Sequence, residues 1–180
     1  RDRRRPVLRR RLLRDLSRPV GPSAATPLAA TRRGSGDRLV LLHGFTQTGR
    51  SWERIVDRLA TSFETVSIDA PGHGDSNEAD ADLDRAGDLV VATGGPGTYI
   101  GYSMGGRIAL HAALAHPSDV RRLVLIGATP GLGSEVERAE RRAGDERLAT
   151  ELEHDGLEVF LDRWLALPLF AGLAPQAAQK

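Results

Sequence analysis

The chain is 180 residues long, 40% hydrophobic and 27% charged, with a formal net charge of +1, the make-up of one globular domain around a single core. It holds no cysteine, which excludes a disulfide framework and thiolate metal ligands and fits a cytoplasmic setting. No apolar run reaches the ~18 residues of a membrane-spanning helix, and the arginine-rich amino end lacks the apolar core of a signal peptide, so a membrane is not expected as a partner.

The first 38 residues carry 12 arginines against Asp2, Asp15 and Asp37, a local excess of +9. Such an arm suits phosphates, but it has no aromatic residue for base stacking and no recognisable binding fold, so nucleic acid is not expected either. Pro6, Pro19, Gly21, Pro22 and Pro27 punctuate it, and Arg32 to Gly36 reads as a linker. Residues 1–37 are therefore read as a basic, poorly ordered leader.

From Arg38 onward short apolar runs alternate with helical patterns, the signature of βαβ units and a mainly parallel sheet. Strands are predicted at residues 39–42, 65–68, 98–102 and 122–126, and helices at 52–60, 83–92 and 104–115. Ala115-His116-Pro117 ends the last of these, because the residue before a proline is pushed out of helical geometry. Residues 38–130 are read as an α/β core.

Gly101-Tyr102-Ser103-Met104-Gly105 lies where a predicted strand gives way to a predicted helix, the context a nucleophile elbow requires. A serine on that turn presents its hydroxyl at the top of the sheet, beside N–H groups that can face a developing oxyanion. The Met104 N–H would be one such donor. His43-Gly44-Phe45, following the first strand, would supply the other through the Phe45 N–H, with His43 organising the turn. His73 and Asp75, in the glycine-broken loop from Asp69 to Ser76, are assigned to local hydrogen bonding. Arg107 stands one helical turn after Ser103, either paired with a loop carboxylate or free to hold a substrate carboxylate bidentately.

Beyond Thr129-Pro130-Gly131 the pattern changes. Residues 135–153 are dense in charge, and residues 157–170 carry aromatic and aliphatic side chains at helical spacing. Residues 131–180 are read as a helical cap over the sheet, with a plain surface-helix pair as the alternative.

Leu42 to Phe45, Asp69 to Ser76 and Gly101 to Arg107 together resemble the α/β-hydrolase superfamily. Arg107, Pro130-Gly131-Leu132, the Arg138-to-Arg142 stretch, Trp164 and Pro168-Leu169-Phe170 are similar, within it, to the 2-succinyl-6-hydroxy-2,4-cyclohexadiene-1-carboxylate synthase family of menaquinone biosynthesis. That resemblance implies an α/β-hydrolase fold, mainly parallel with helices on both faces, and a pyruvate-eliminating lyase that needs no cofactor or metal. It implies Ser103 as the proton-abstracting base, and Tyr102, Arg107, Arg141 and Trp164 around a small polycarboxylate substrate. The N–H groups of Phe45 and Met104 would stabilise negative charge.

In this fold the acid and histidine that serve the serine come later in the chain. His111 and His116 lie about 12 and 20 Å from Ser103 along the helix axis at 1.5 Å per residue, too far to reach its hydroxyl, and His154 would need an unusual arrangement. The expectation is a chain that lacks the last third of the domain, inactive by itself. A serine carboxylesterase and a non-catalytic binding protein that keeps the pocket stand as the alternatives.

Overall fold

The computed structural model describes residues 27–171. Its centre is a five-stranded sheet, and the reason is legible in the second strand. β2 (Arg38–Leu42) reads Arg-Leu-Val-Leu-Leu and is buried on both sides, as a central parallel strand must be. Because successive side chains point to opposite faces, Val40 and Leu42 enter one apolar layer while Leu39 and Leu41 enter another.

The other strands are β1 (Ala30–Arg33), β3 (Glu64–Ile68), β4 (Gly97–Tyr102) and β5 (Val120–Ile126), in the spatial order β1-β3-β2-β4-β5. β2, β3, β4 and β5 run parallel, and β1 pairs antiparallel with β3. Helix α1 (Glu53–Leu59), entered through a 3-10 turn at Gly49–Trp52, covers one face with Val56 and Trp52. Helices α2 (Leu83–Gly94) and α3 (Met104–Ala115) cover the other through Ala86, Leu89, Val90, Ile108, Ala109 and Ala112. The two following helices, α4 (Glu135–Asp155) and α5 (Leu157–Leu165), pack on each other. Ser134 and Glu137 form a capping box that starts α4.

One expectation is corrected. Residues 27–37 are part of the fold: Leu28 is buried in the core layer of α2 and α3, and β1 extends the sheet edge. The charge of Arg32 and Arg33 hid this strand. On an edge both side chains find carboxylates, Arg32 with Glu64 at 3.6 Å and Arg33 with Asp57 at 2.7 Å, so the guanidiniums never enter the core. The remainder of the expected leader lies outside the described residues, as do residues 172–180.

At the opposite edge β5 is largely exposed, with Val124, Leu125 and Ile126 each open to solvent. The site is placed by connectivity. From β2 the chain passes to α1 on one face, and from the adjacent β4 to α3 on the other, so the carboxyl ends of β2 and β4 flank a topological switch point, where such sheets hold ligands.

Candidate active site

Ser103 occupies that switch point. It has φ 50°, one of two non-glycine residues with positive φ among those described, and strain of this kind persists only where the surroundings over-determine it. Here the Ser103 N–H donates to the Ile126 carbonyl at 2.9 Å, and its own carbonyl accepts from Gly106 and Arg107 at 3.1 and 3.3 Å. The flanking glycines are required by close approach. A Cβ on Gly105 would lie 2.4 Å from the Leu42 carbonyl oxygen, and one on Gly101 would lie 2.3 Å from the Gly105 carbonyl oxygen.

The turn after β2 is fixed with equal care. His43 is fully buried; its Nε2 accepts the Ala70 N–H at 3.0 Å, so Nδ1 carries the proton and donates to the Gly44 carbonyl at 2.8 Å. Burial pushes the imidazole below its ordinary 6.5, against the opposing pull of that Gly44 bond, so the ring is neutral. Gln47 N–H also donates to the Gly44 carbonyl, at 3.2 Å. The C=O and N–H of a trans peptide point opposite ways. Anchoring Gly44 O from two sides therefore turns the Phe45 N–H outward. Neither that N–H nor the Met104 N–H meets a protein acceptor among the described residues. The Tyr102 ring lies over this turn, within 2.8 Å of where a Gly44 Cβ would stand.

Arg107 makes no ion pair or hydrogen bond through its side chain among the described residues. A guanidinium at the head of α3, one turn from the serine and without a carboxylate of its own, is available to an anionic ligand. The family model for the alpha/beta hydrolase fold matches residues 37–151. The chain belongs to the α/β-hydrolase family.

This α/β hydrolase is 36% identical over 143 residues to a 2-succinyl-6-hydroxy-2,4-cyclohexadiene-1-carboxylate synthase of Enterobacter sp. (strain 638), the match covering 75% of this chain and 54% of that protein. It is also 36% identical over 148 residues to a pimeloyl-[acyl-carrier protein] methyl ester esterase of Chromobacterium violaceum, covering 80% and 57%. Among solved structures it resembles MenH from S. aureus with a TM-score of 0.68 and 29% identity, over 83% of this chain and 64% of that one. The chain spans about half the length of the curated relatives it matches.

The structure brings most of the sequence-derived site residues of this α/β hydrolase together. Phe45 meets Trp164 edge to face, ring centroids 5.2 Å apart, and the Trp164 Nε1–H is buried without an acceptor among the described residues. Arg141 stands differently: on the exposed α4, its Nε lies 2.7 and 2.9 Å from the carboxylate oxygens of Asp145, and no described contact joins it to the elbow. No described histidine bonds to Ser103. His111 and His116 are held by Asp84 and Asp88 of α2 at 2.6 and 2.8 Å, His154 by Asp155, and His73 through Nδ1 by the Pro71 carbonyl.

Two residues of the site escaped the sequence reading. Asp69 ties the loop after β3 together, its carboxylate accepting from the N–H groups of Gly49 and Asp75 at 2.7 and 2.9 Å. Phe160 of α5 stacks on Trp164 and meets Phe45 edge-on. The i, i+4 spacing of Phe160 and Trp164 marks a shared helix face but names no partner for it.

Proposed function

We propose that this α/β hydrolase is a 2-succinyl-6-hydroxy-2,4-cyclohexadiene-1-carboxylate synthase of menaquinone biosynthesis, a carbon–oxygen lyase acting in the cytoplasm on a small polycarboxylate. The observation that carries this reading is the guanidinium of Arg107 beside Ser103, which has no partner among the described residues. A neutral ester would have little use for it, whereas a substrate with several carboxylates gains on the order of 1.5 to 3 kcal/mol from each charge-assisted pair.

Ser103 acts as a base in this proposal. Once its own proton has been passed on, it takes a proton from a ring carbon. The electron pair forms a ring double bond, the double bond already in the ring shifts by one position, and the carbon–oxygen bond to the enolpyruvyl group at the far end of that system breaks, leaving a conjugated diene. That oxygen takes up a proton and the group leaves as the enol of pyruvate. Negative charge developing on the substrate is met by the N–H groups of Phe45 and Met104, an arrangement supported by their lack of acceptors among the described residues. Tyr102, Arg107 and Trp164 orient the substrate, and Arg141 joins them by exchanging Asp145 for a substrate carboxylate. A serine hydroxyl needs an activating partner, and the proposal assigns that work to an acid and a histidine further along the polypeptide. No metal or organic cofactor takes part.

The full gene product should release pyruvate from the succinylated enolpyruvyl substrate. Robust ester hydrolysis without pyruvate release would overturn the lyase reading in favour of a carboxylesterase, which the similarity to the Chromobacterium esterase supports. An Arg107→Ala variant sorts the two, since ester turnover would be indifferent to it.

A further inference from the structure

We propose that Phe160 is a positioning residue: through the Phe45 ring, helix α5 sets the direction of the Phe45 N–H. This rests on the reading of that N–H as an anion-stabilising donor and goes beyond it, because Phe160 has no polar atom and cannot itself hold a carboxylate.

The Gly44–Phe45 peptide is anchored on its carbonyl side by His43 and Gln47. On the other side the constraints are weaker. Thr46 follows at φ 63°, a conformation that survives only under outside restraint, and its hydroxyl donates back to the Phe45 carbonyl at 2.6 Å. The side chain of Phe45 supplies the rest. Its ring stands edge-on to three others: Trp164 at 5.2 Å and 89°, His73 at 6.0 Å and 75°, and Phe160 at 6.2 Å and 76°. His73 belongs to the loop after β3, while the other two belong to α5, so the ring is gripped between core and cap.

Phe160 is the keystone of that grip. It is the single buried residue of α5, yet it belongs to neither apolar layer of the sheet. It stacks on Trp164 with the planes 15° apart and 6.0 Å between centroids, fixing the tryptophan face that Phe45 meets. A helix that spends its only buried side chain this way is registered on the donor turn. Movement of α5 is thereby transmitted to the direction of one N–H.

The test compares Phe160→Ala and Phe160→Leu with the parent in the full polypeptide, by amide NMR and by pyruvate release. In both variants the Phe45 and Thr46 amide resonances should move or broaden while those of Val40 and Ala109 stay in place. Pyruvate release should lose about 10- to 100-fold in kcat with KM within roughly twofold, and Phe160→Tyr, which keeps the ring, should recover most of it. Unmoved Phe45 and Thr46 resonances, or a loss confined to KM, would overturn the proposal. If Phe160→Ala fails to fold, Phe160→Leu carries the same readouts. Should the parent release no pyruvate while the Phe45 resonance still responds, the lyase reading falls and the positioning role stands.

Discussion

The backbone N–H of Gly105 donates to the carbonyl of His43 across 3.0 Å, joining the turn that carries Ser103 to the turn that carries Phe45. This seam ties the turns of the two candidate N–H donors to each other, where α3 starts against the end of β2.

Gly105→Ala should break it. The added methyl would meet the carbonyl oxygens of Leu42 and His43 at 2.4 and 2.5 Å, and these are backbone atoms that cannot swing aside. The expected cost is roughly 1–3 kcal/mol of stability, read from the urea midpoint, with turnover falling further than stability alone accounts for. An unchanged midpoint would mean that the seam yields.

Arg107→Ala should raise KM for the polycarboxylate by about 10- to 150-fold, the equivalent of one charge-assisted pair. Unfolding should be nearly unaffected, because no ion pair is lost with it among the described residues. Arg107→Lys should recover only part, since an ammonium cannot reproduce a two-pronged grip.

Stability should decline on acidification through a specific imidazole. Burial lowers the His43 pKa in the folded state below the 6.5 of an accessible histidine, so the unfolded chain binds the proton first and ΔG of unfolding rises with pH in that window. The contribution is whole above about 6.5 and fades as pH falls toward the folded value, with a limiting slope of roughly 1.4 kcal/mol per pH unit for one proton. Urea unfolding between pH 4.5 and 8 should show this slope, and His43→Gln should flatten it.

Leu28→Ala should cost about 2–4 kcal/mol, because Leu28 is 5% exposed within the core layer of α2 and α3. A value near zero, measured by chemical unfolding, would return residues 27–33 to the status of an appended arm.

The parallel sheet was readable because apolar runs such as 39–42 and 98–102 alternate with helices of matching length, and the elbow because glycines flank Ser103 on both sides. β1 was not readable. Its strand is four residues long and half arginine, and the positions of Glu64, Asp57 and the Thr93 carbonyl across the fold make that composition stable on an edge. Arg141 shows a different limit: the motif is visible in the chain, but the sequence does not say that Asp145 one turn on holds the same guanidinium. Phe160 reads as an ordinary core-facing residue, since periodicity reports that a side chain is covered and is silent about what covers it.

The outermost strand has a practical consequence for the polypeptide in concentrated solution. Val124, Leu125 and Ile126 are 43%, 38% and 43% exposed along β5, a flat aliphatic border of the kind that recruits another copy by backbone pairing. Charge placed at Leu125 would discourage such stacking at little expense to the interior, which β5 enters through Val120 and Leu123.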